Sequence, residues 1–294
     1  MPISFPGLFG DWELNIDPVA IHIGHGIYWY GIILAIAMLA GLYLCMKQAK
    51  HYGLTEDNIM DMVLWAVPCC IIGARFYYVL FYLDLYRNTD GSLDWGAMFR
   101  IWDGGLAIYG TVIVGVIVAL IYTKRHKIPF FAMGDLAVMG LLLGQIIGRW
   151  GNFMNCEAFG GYTDSLFAMR IKRSIVNESM ISQELLENLI TENGIEYIQV
   201  HPTFLYESMW NLGLLLFMLW YRKRKKFTGE MLLIYLTGYG IGRAWIEGTR
   251  RDQLLIPGTE LAVSQVLSMV IAVISLAVLL FHRRKGPGES EETV

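Results

Sequence analysis

Three arginines stand among apolar runs where a charged side chain has no obvious reason to be: Arg75, Arg149 and Arg243. A guanidinium at membrane depth costs about 2.5 to 3.5 kcal/mol on insertion scales, so each needs a partner, a path to water or a task. Snorkelling of a long side chain toward an interface competes with the functional reading at all three positions. Around Arg243 the pattern is richer. Tyr239, Arg243 and Glu247 recur four residues apart, which stacks a phenol, a guanidinium and a carboxylate on one helical stripe. Glu247 either neutralises Arg243 or holds its fork so that the free edge faces an anion. Arg250, a few residues on, extends the positive path or is an exposed loop arginine.

Around Arg149 the stretch from Gly148 to Gly161 places glycine, asparagine, arginine and glutamate close together. That composition makes a poor helix and a good polar loop at a membrane boundary, where irregular backbone is tolerated only against protein or a water-filled cavity. Arg149 and Asn152 offer donors to phosphate oxygens, and Glu157 accepts from a hydroxyl or pairs an arginine. Tyr30 and Tyr109 lie at similar depth near the starts of two apolar runs, and both fit the aromatic belt as well as a site. His201-Pro202 and Tyr206-Glu207 are equally ambiguous.

The elements that must position these residues are membrane spans. The 294 residues are 55% hydrophobic and 17% charged, with a mean hydropathy of +0.45. Seven stretches approach the roughly 20 apolar residues that a spanning helix requires: 27–46, 58–82, 105–123, 131–150, 203–221, 230–246 and 262–281. The expected fold class is thus an all-α polytopic membrane protein with a small α+β extracytoplasmic head. The divisions are an N-terminal segment 1–26, spans one to four in 27–156, the head in 157–202, spans five to seven in 203–282, and a polar tail 283–294.

Alternate connections differ in charge. One side collects thirteen Lys and Arg, from Lys47 and Lys50 through 124–127 and 222–226 to 283–285; the other has seven, Arg87, Arg100, Arg170, Lys172, Arg173, Arg250 and Arg251. The richer side is cytoplasmic, which puts the N-terminus outside and the C-terminus inside.

Residues 1–26, with Asp11, Glu13 and Asp17 and no basic n-region, do not read as a cleaved signal peptide. They suit a segment along the outer interface or an ordinary disordered terminus. In the head, a strand is expected near 167–173 and an amphipathic helix near 178–192. The tail is expected to be disordered. His22 and His25 precede the first span, leaving His201 as the other histidine near an outer cavity. Cys45, Cys69, Cys70 and Cys156 have neither ligand nor disulfide spacing, so no metal and no cofactor are expected. A net charge of -3 without a basic face excludes nucleic acid as a partner.

The run from Gly148 to Gly161 resembles the signature of the bacterial prolipoprotein diacylglyceryl transferases, with each fixed position filled. Trp29-Tyr30-Gly31, Gly73-Ala74-Arg75, Trp102 to Gly105, His201-Pro202 with Tyr206-Glu207, and Gly238 through Arg243 to Glu247 are similar to that family as well. The resemblance implies transfer of the diacylglyceryl group of phosphatidylglycerol to the lipobox cysteine of a prolipoprotein signal peptide, with release of glycerol 1-phosphate. It implies that Arg149 and Arg243 hold the lipid phosphate, that Asn152, Glu157 and Gly160 shape the head-group site, and that Tyr30 and Glu247 support it. Asn155, Tyr239 and Arg75 join the expected lipid-binding set, and Tyr109 the catalytic one. Many members have histidine where this chain has Tyr109. A phenol with an unperturbed pKa near 10 is a poor base for a thiol near 8.5, so electrostatics is expected to carry the step while Tyr109 orients.

Two other readings compete. A secondary transporter of an anionic solute would use the same arginines but predicts repeat symmetry between halves, which this chain lacks. A non-catalytic lipid-binding scaffold would tolerate lysine at the arginines, where a bidentate phosphate site would not.

Overall fold

The computed structural model describes residues 1–284 except 11, 25, 89, 251–255, 257 and 260, and excluding the side chain of Asp103. Asp11, His25, Arg251 and Lys285, with the tail beyond Arg284, therefore lie outside the described residues. The elements in chain order are β1 (Pro2–Ser4), α1 (Pro6–Phe9), β2 (Glu13–Asn15), β3 (Val19–Ile21), β4 (Ile27–Tyr28), α2 (Trp29–Gln48), α3 (Glu56–Phe81), α4 (Trp95–Phe99), α5 (Ile108–His126), α6 (Phe130–Met154), β5 (Met169–Lys172), α7 (Gln183–Glu187), β6 (Ile190–Glu192), β7 (Ile195–Val200), α8 (Thr203–Tyr221), α9 (Glu230–Glu247) and α10 (Val263–Arg284). They form two units, residues 45–136 and the remainder.

Among the described residues, five helices are long and apolar enough to cross a membrane: α2 with the turn that follows it, α3, α5, α6 and α10. The remaining two expected spans coincide with α8 and α9, of 19 and 18 residues, which bury Glu207, Asn211, Glu230 and Glu247 among their apolar positions. Helix ends follow local chemistry. Thr55 and Asn58 form a reciprocal capping box at the start of α3, ahead of Glu56 and Asp57 in the first turn. Helices α5 and α10 end on Lys124-Arg125-His126 and His282-Arg283-Arg284, whose charges complement the carbonyl end of the dipole. Within the larger unit, the buried Glu230 carboxylate takes Arg283 Nε at 2.7 Å and the Tyr221 hydroxyl at 2.9 Å, fastening α8, α9 and α10 at one end.

At the opposite end of these helices sits a five-stranded antiparallel sheet in the order β2-β1-β5-β7-β6. Two of its strands, β1 and β2, come from the N-terminal segment, so these residues are paired into the sheet rather than forming a free tail. The expected strand near 167–173 is β5, but the expected helix over 178–192 is not formed. Asn177 and Ser182 cap a 3-10 turn and the five-residue α7 separately, and Ile190–Glu192 enters the sheet. The head's core of Ile3, Ile171, Leu185, Ile198 and Val200 continues into Phe153 and Phe204, whose rings stack with centroids 4.6 Å apart. That continuity seats the sheet on the ends of α6 and α8.

Unit 45–136 pairs α3 with α5 through facing glycines. A Cβ on Gly110 would lie 2.4 Å from the Gly73 carbonyl oxygen, an approach that only glycine permits.

Candidate functional site

Helix α6 does not end where the glycines begin. The stretch expected to be loop from Gly148 stays helical to Met154, and the irregular backbone starts after it. A helical Arg149 keeps a fixed direction. From α6 its Nη2 reaches Glu207 Oε1 on α8 at 2.7 Å, and from α9 Arg243 Nη1 reaches Glu207 Oε2 at 3.3 Å. One carboxylate thus holds two guanidinium groups, one on each oxygen. Arg243 Nη2 also lies 2.7 Å from Glu247 Oε2, one turn along α9, and Ser264 of α10 donates to Glu247 Oε1 at 2.7 Å. The Glu207 and Glu247 side chains are buried, whereas those of Arg149 and Arg243 stay 21% and 19% exposed. The two arginines neither point into bulk solvent nor stand apart, and each retains N–H donors that are unengaged among the described residues.

A second chain of contacts runs from Arg149 along its own helix. Arg149 Nη1 donates to Asn152 Oδ1 at 3.4 Å, and Asn152 Nδ2 donates to Glu157 Oε1 at 2.9 Å, with Asn155 Nδ2 on the same oxygen at 3.5 Å. Glu157 is presented by a strained backbone: its neighbours Cys156 and Ala158 are both in the left-handed region at φ 51° and 55°. The loop is clamped from two sides. Gly160 N–H donates to His201 C=O at 2.9 Å, His201 N–H donates to Gly161 C=O at 3.0 Å, and Gly161 N–H donates to Thr249 C=O at 2.8 Å. A side chain at Gly160 would meet His201 Cβ at 2.7 Å and the Thr249 oxygen at 2.8 Å, so Gly160 serves close packing of three segments. Arg250, expected on an exposed loop, is half-buried and bridges to Gly160 through its backbone.

Tyr30, in the first turn of α2, lays its ring on Gly151, where a Cβ would come within 2.8 Å of Cδ2. Tyr239 stacks on Tyr235 at 5.4 Å, one turn below Arg243. Tyr109 belongs to the other unit, exposed in the first turn of α5 and 6.3 Å from the Tyr77 ring.

Arg75 departs from its expected part. Its Nε donates to Met98 O, Nη1 to Gly104 O and Gly105 O, and Nη2 to Ala97 O and Arg100 O, at 2.6 to 3.1 Å. All five donors of the fork are spent on backbone carbonyls, leaving none for a lipid phosphate. Arg75 ties down the segment before α5 instead.

Among the described residues no group of His, Cys, Asp and Glu could hold a metal ion. Cys156 is buried, and desolvation lifts its thiol to about 11, so it is inert as a nucleophile. Glu207 is the residue that sequence reasoning passed over. With Tyr206 it reads as ambiguous and as part of a match, without a role, although a carboxylate one turn inside a span is the partner that charge accounting would seek for Arg149.

A sequence profile of the prolipoprotein diacylglyceryl transferases matches residues 18–281. The chain belongs to this family. Relatives include phosphatidylglycerol–prolipoprotein diacylglyceryl transferases of Oceanobacillus iheyensis, 41% identical over 92% of this chain and 89% of the relative, and of Geobacillus kaustophilus, 39% identical over 92% and 94%. The one from Listeria monocytogenes serotype 4b is 39% identical over 94% and 93%. For a member of this family, the carboxylate-bridged arginine pair is the feature with the chemistry to hold a phosphodiester.

His201, beside this site, carries a pH dependence. Its ring nitrogen Nδ1 lies 3.3 Å from the Tyr206 hydroxyl, and burial lowers its pKa below the ordinary 6.5. The unfolded chain therefore takes up a proton at higher pH than the folded one. The contribution to stability is complete above the ordinary value and is lost as pH falls from there through the folded value. Melting temperature measured in detergent from about pH 7 down to about pH 5 is expected to fall more steeply for the parent protein than for His201→Asn.

Proposed function

We propose that this chain transfers the diacylglyceryl group of phosphatidylglycerol to the lipobox cysteine thiol of prolipoprotein signal peptides. The proposal includes a seven-span chain in the bacterial cytoplasmic membrane, with the N-terminus outside, the C-terminus in the cytoplasm and the site toward the outer leaflet. The observation that carries it is the pair of guanidinium groups on opposite oxygens of Glu207, within a helical bundle at the foot of the head.

The reaction places its demand there. The cysteine sulfur attacks the glycerol carbon that bears the phosphate, the new C–S bond forms as the C–O bond breaks, and the phosphate oxygen leaves with the bonding electrons. The thiol proton is released. A phosphodiester carries one negative charge and the departing monoester nearly two, because its second pKa is near 6. Donors that bind the added charge more tightly than the ground state lower the barrier, and fixed guanidinium groups in a partly desolvated site do this without reorganising. Arg149 and Arg243 take that part. Asn152, Asn155, Glu157 and Gly160 shape the head-group side, Tyr30, Tyr239 and Glu247 support it, and Tyr109 orients. No cofactor enters the scheme. The relatives named above are transferases, and nothing in them favours a carrier of anionic solutes.

Purified protein incubated with phosphatidylglycerol and a lipobox-cysteine peptide is expected to add the diacylglyceryl mass to the peptide. Unmodified peptide in the presence of bound lipid would overturn the assignment. In the same assay Tyr109→Phe is expected to retain a rate within about tenfold of the parent and an unchanged pH profile, since orientation is cheaper than proton transfer, which contributes about 10²- to 10⁴-fold. A loss as large as that of Arg243→Ala would make the phenol the proton acceptor.

A further inference from the structure

One turn below the bridged arginines, the same three helices meet in a second polar layer. Asn211 lies four residues after Glu207 on α8 and is fully buried, with 0% exposure. Its Nδ2 points to Gln145 Oε1 at 3.5 Å, and Gln145, four residues before Arg149 on α6, donates through Nε2 to the Tyr235 hydroxyl at 3.0 Å. Tyr235 on α9 stacks on Tyr239, itself one turn below Arg243. Asn211 Oδ1 is buried with no hydrogen-bond partner among the described residues.

An apolar bundle needs no such layer for stability. Helices in lipid pack through small and apolar residues, and a buried acceptor left unpaired is a net cost that leucine at the same position would remove. Departures from local packing rules that a fold tolerates concentrate at functional sites. Here the departure lies beneath the catalytic ion pairs and on the helices that bear them. The link between the layers is geometric. Residues four or eight apart on one helix share a face, so fixing the rotation of α6 and α8 at Gln145 and Asn211, one turn below Arg149 and Glu207, and of α9 at Tyr235, two turns below Arg243, fixes where the three charged side chains meet.

We propose that Asn211, with Gln145 and Tyr235, is a positioning residue for the transferase reaction: a polar floor that sets the spacing of the two arginines and is retained at the expense of stability. This rests on the function proposed above. It touches none of the reacting atoms, and its effect falls on the chemical step rather than on lipid capture.

The test compares the full-length parent protein, Asn211→Leu, Asn211→Gln and Gln145→Leu, measuring melting temperature in detergent and kcat and KM for phosphatidylglycerol with a lipobox peptide. Asn211→Leu is expected to melt at or above the parent temperature while kcat falls at least tenfold and KM stays within about twofold. Gln145→Leu, which takes the partner from Asn211 Nδ2 and from the Tyr235 hydroxyl, should lose kcat as well but melt below Asn211→Leu, and Asn211→Gln, which restores the amide, should recover a large part of kcat. A kcat within twofold of the parent in a well-folded Asn211→Leu would overturn the proposal. So would a loss of kcat in that variant that tracks a fall in its melting temperature, because the layer would then be structural. Turnover by the parent protein separates the two readings: without it the transferase assignment fails, and with it only the floor is on trial.

Discussion

Lysine in place of Arg243 is expected to lower kcat by about 10²- to 10³-fold, the loss typical of removing one preorganised donor from a developing charge. Arg243 uses one terminal nitrogen on Glu207 and the other on Glu247. The guanidinium fork serves both carboxylates at once and still has an edge to offer, whereas an ammonium is a point charge on a flexible stem and settles against one of them. Glu247 would then hold the lysine away from the phosphate, with Ser264 on its other oxygen keeping the carboxylate in place. Arg149→Lys should behave similarly, since it breaks the reach from Glu207 to Asn152. Steady-state kinetics with phosphatidylglycerol and a lipobox peptide decide the matter. Equal activity of the lysine and arginine forms would reduce the pair to a generic positive patch, as a lipid-binding scaffold would use it.

Much of the arrangement is legible because membrane helices announce themselves. Among the described residues seven long helices coincide with the stretches that hydropathy marks, and α5 and α10 each end on basic residues. The five most apolar stand out by composition alone, while α8 and α9 are diluted by the groups that line the site. The head was harder to read for the opposite reason. Its strands are three to six residues long, too short for a period of two to show, and two of them arrive from the far end of the sequence. One signal was present and outweighed by an apolar helical pattern: Asn193-Gly194 between ITE and IEYIQV. Both residues have positive φ, 53° and 77°, the two-residue turn that joins β6 to β7.

Arg75 shows the limit of charge reading. Like Arg149 it is an arginine within an apolar stretch, and sequence cannot tell a fork spent on carbonyls from one held open for a ligand. Glu207 shows the reverse. Its significance lies in contacts with residues 58 and 36 positions away, across helices whose facing is set by packing.

Neutralising that carboxylate should separate binding from turnover. In the resting site Glu207 takes one guanidinium on each oxygen, so a phosphodiester held by the remaining N–H donors would share both positive charges with it, and the departing dianion would be repelled by it. Glu207→Gln preserves shape and a carbonyl acceptor but removes one negative charge between two positive ones. A unit charge at about 4 Å is worth about 4 kcal/mol at an effective dielectric of 20, of which relaxation and solvent at the partly exposed arginines leave a fraction. Glycerol 1-phosphate is therefore expected to inhibit Glu207→Gln about tenfold more strongly than the parent protein. KM for phosphatidylglycerol should fall, and kcat should fall with it as product release slows and the arginines lose their common anchor. A pre-steady-state burst of modified peptide in the variant, absent from the parent, would place the block after chemistry. If product inhibition and KM both stay at parental values, Glu207 is a structural tie alone.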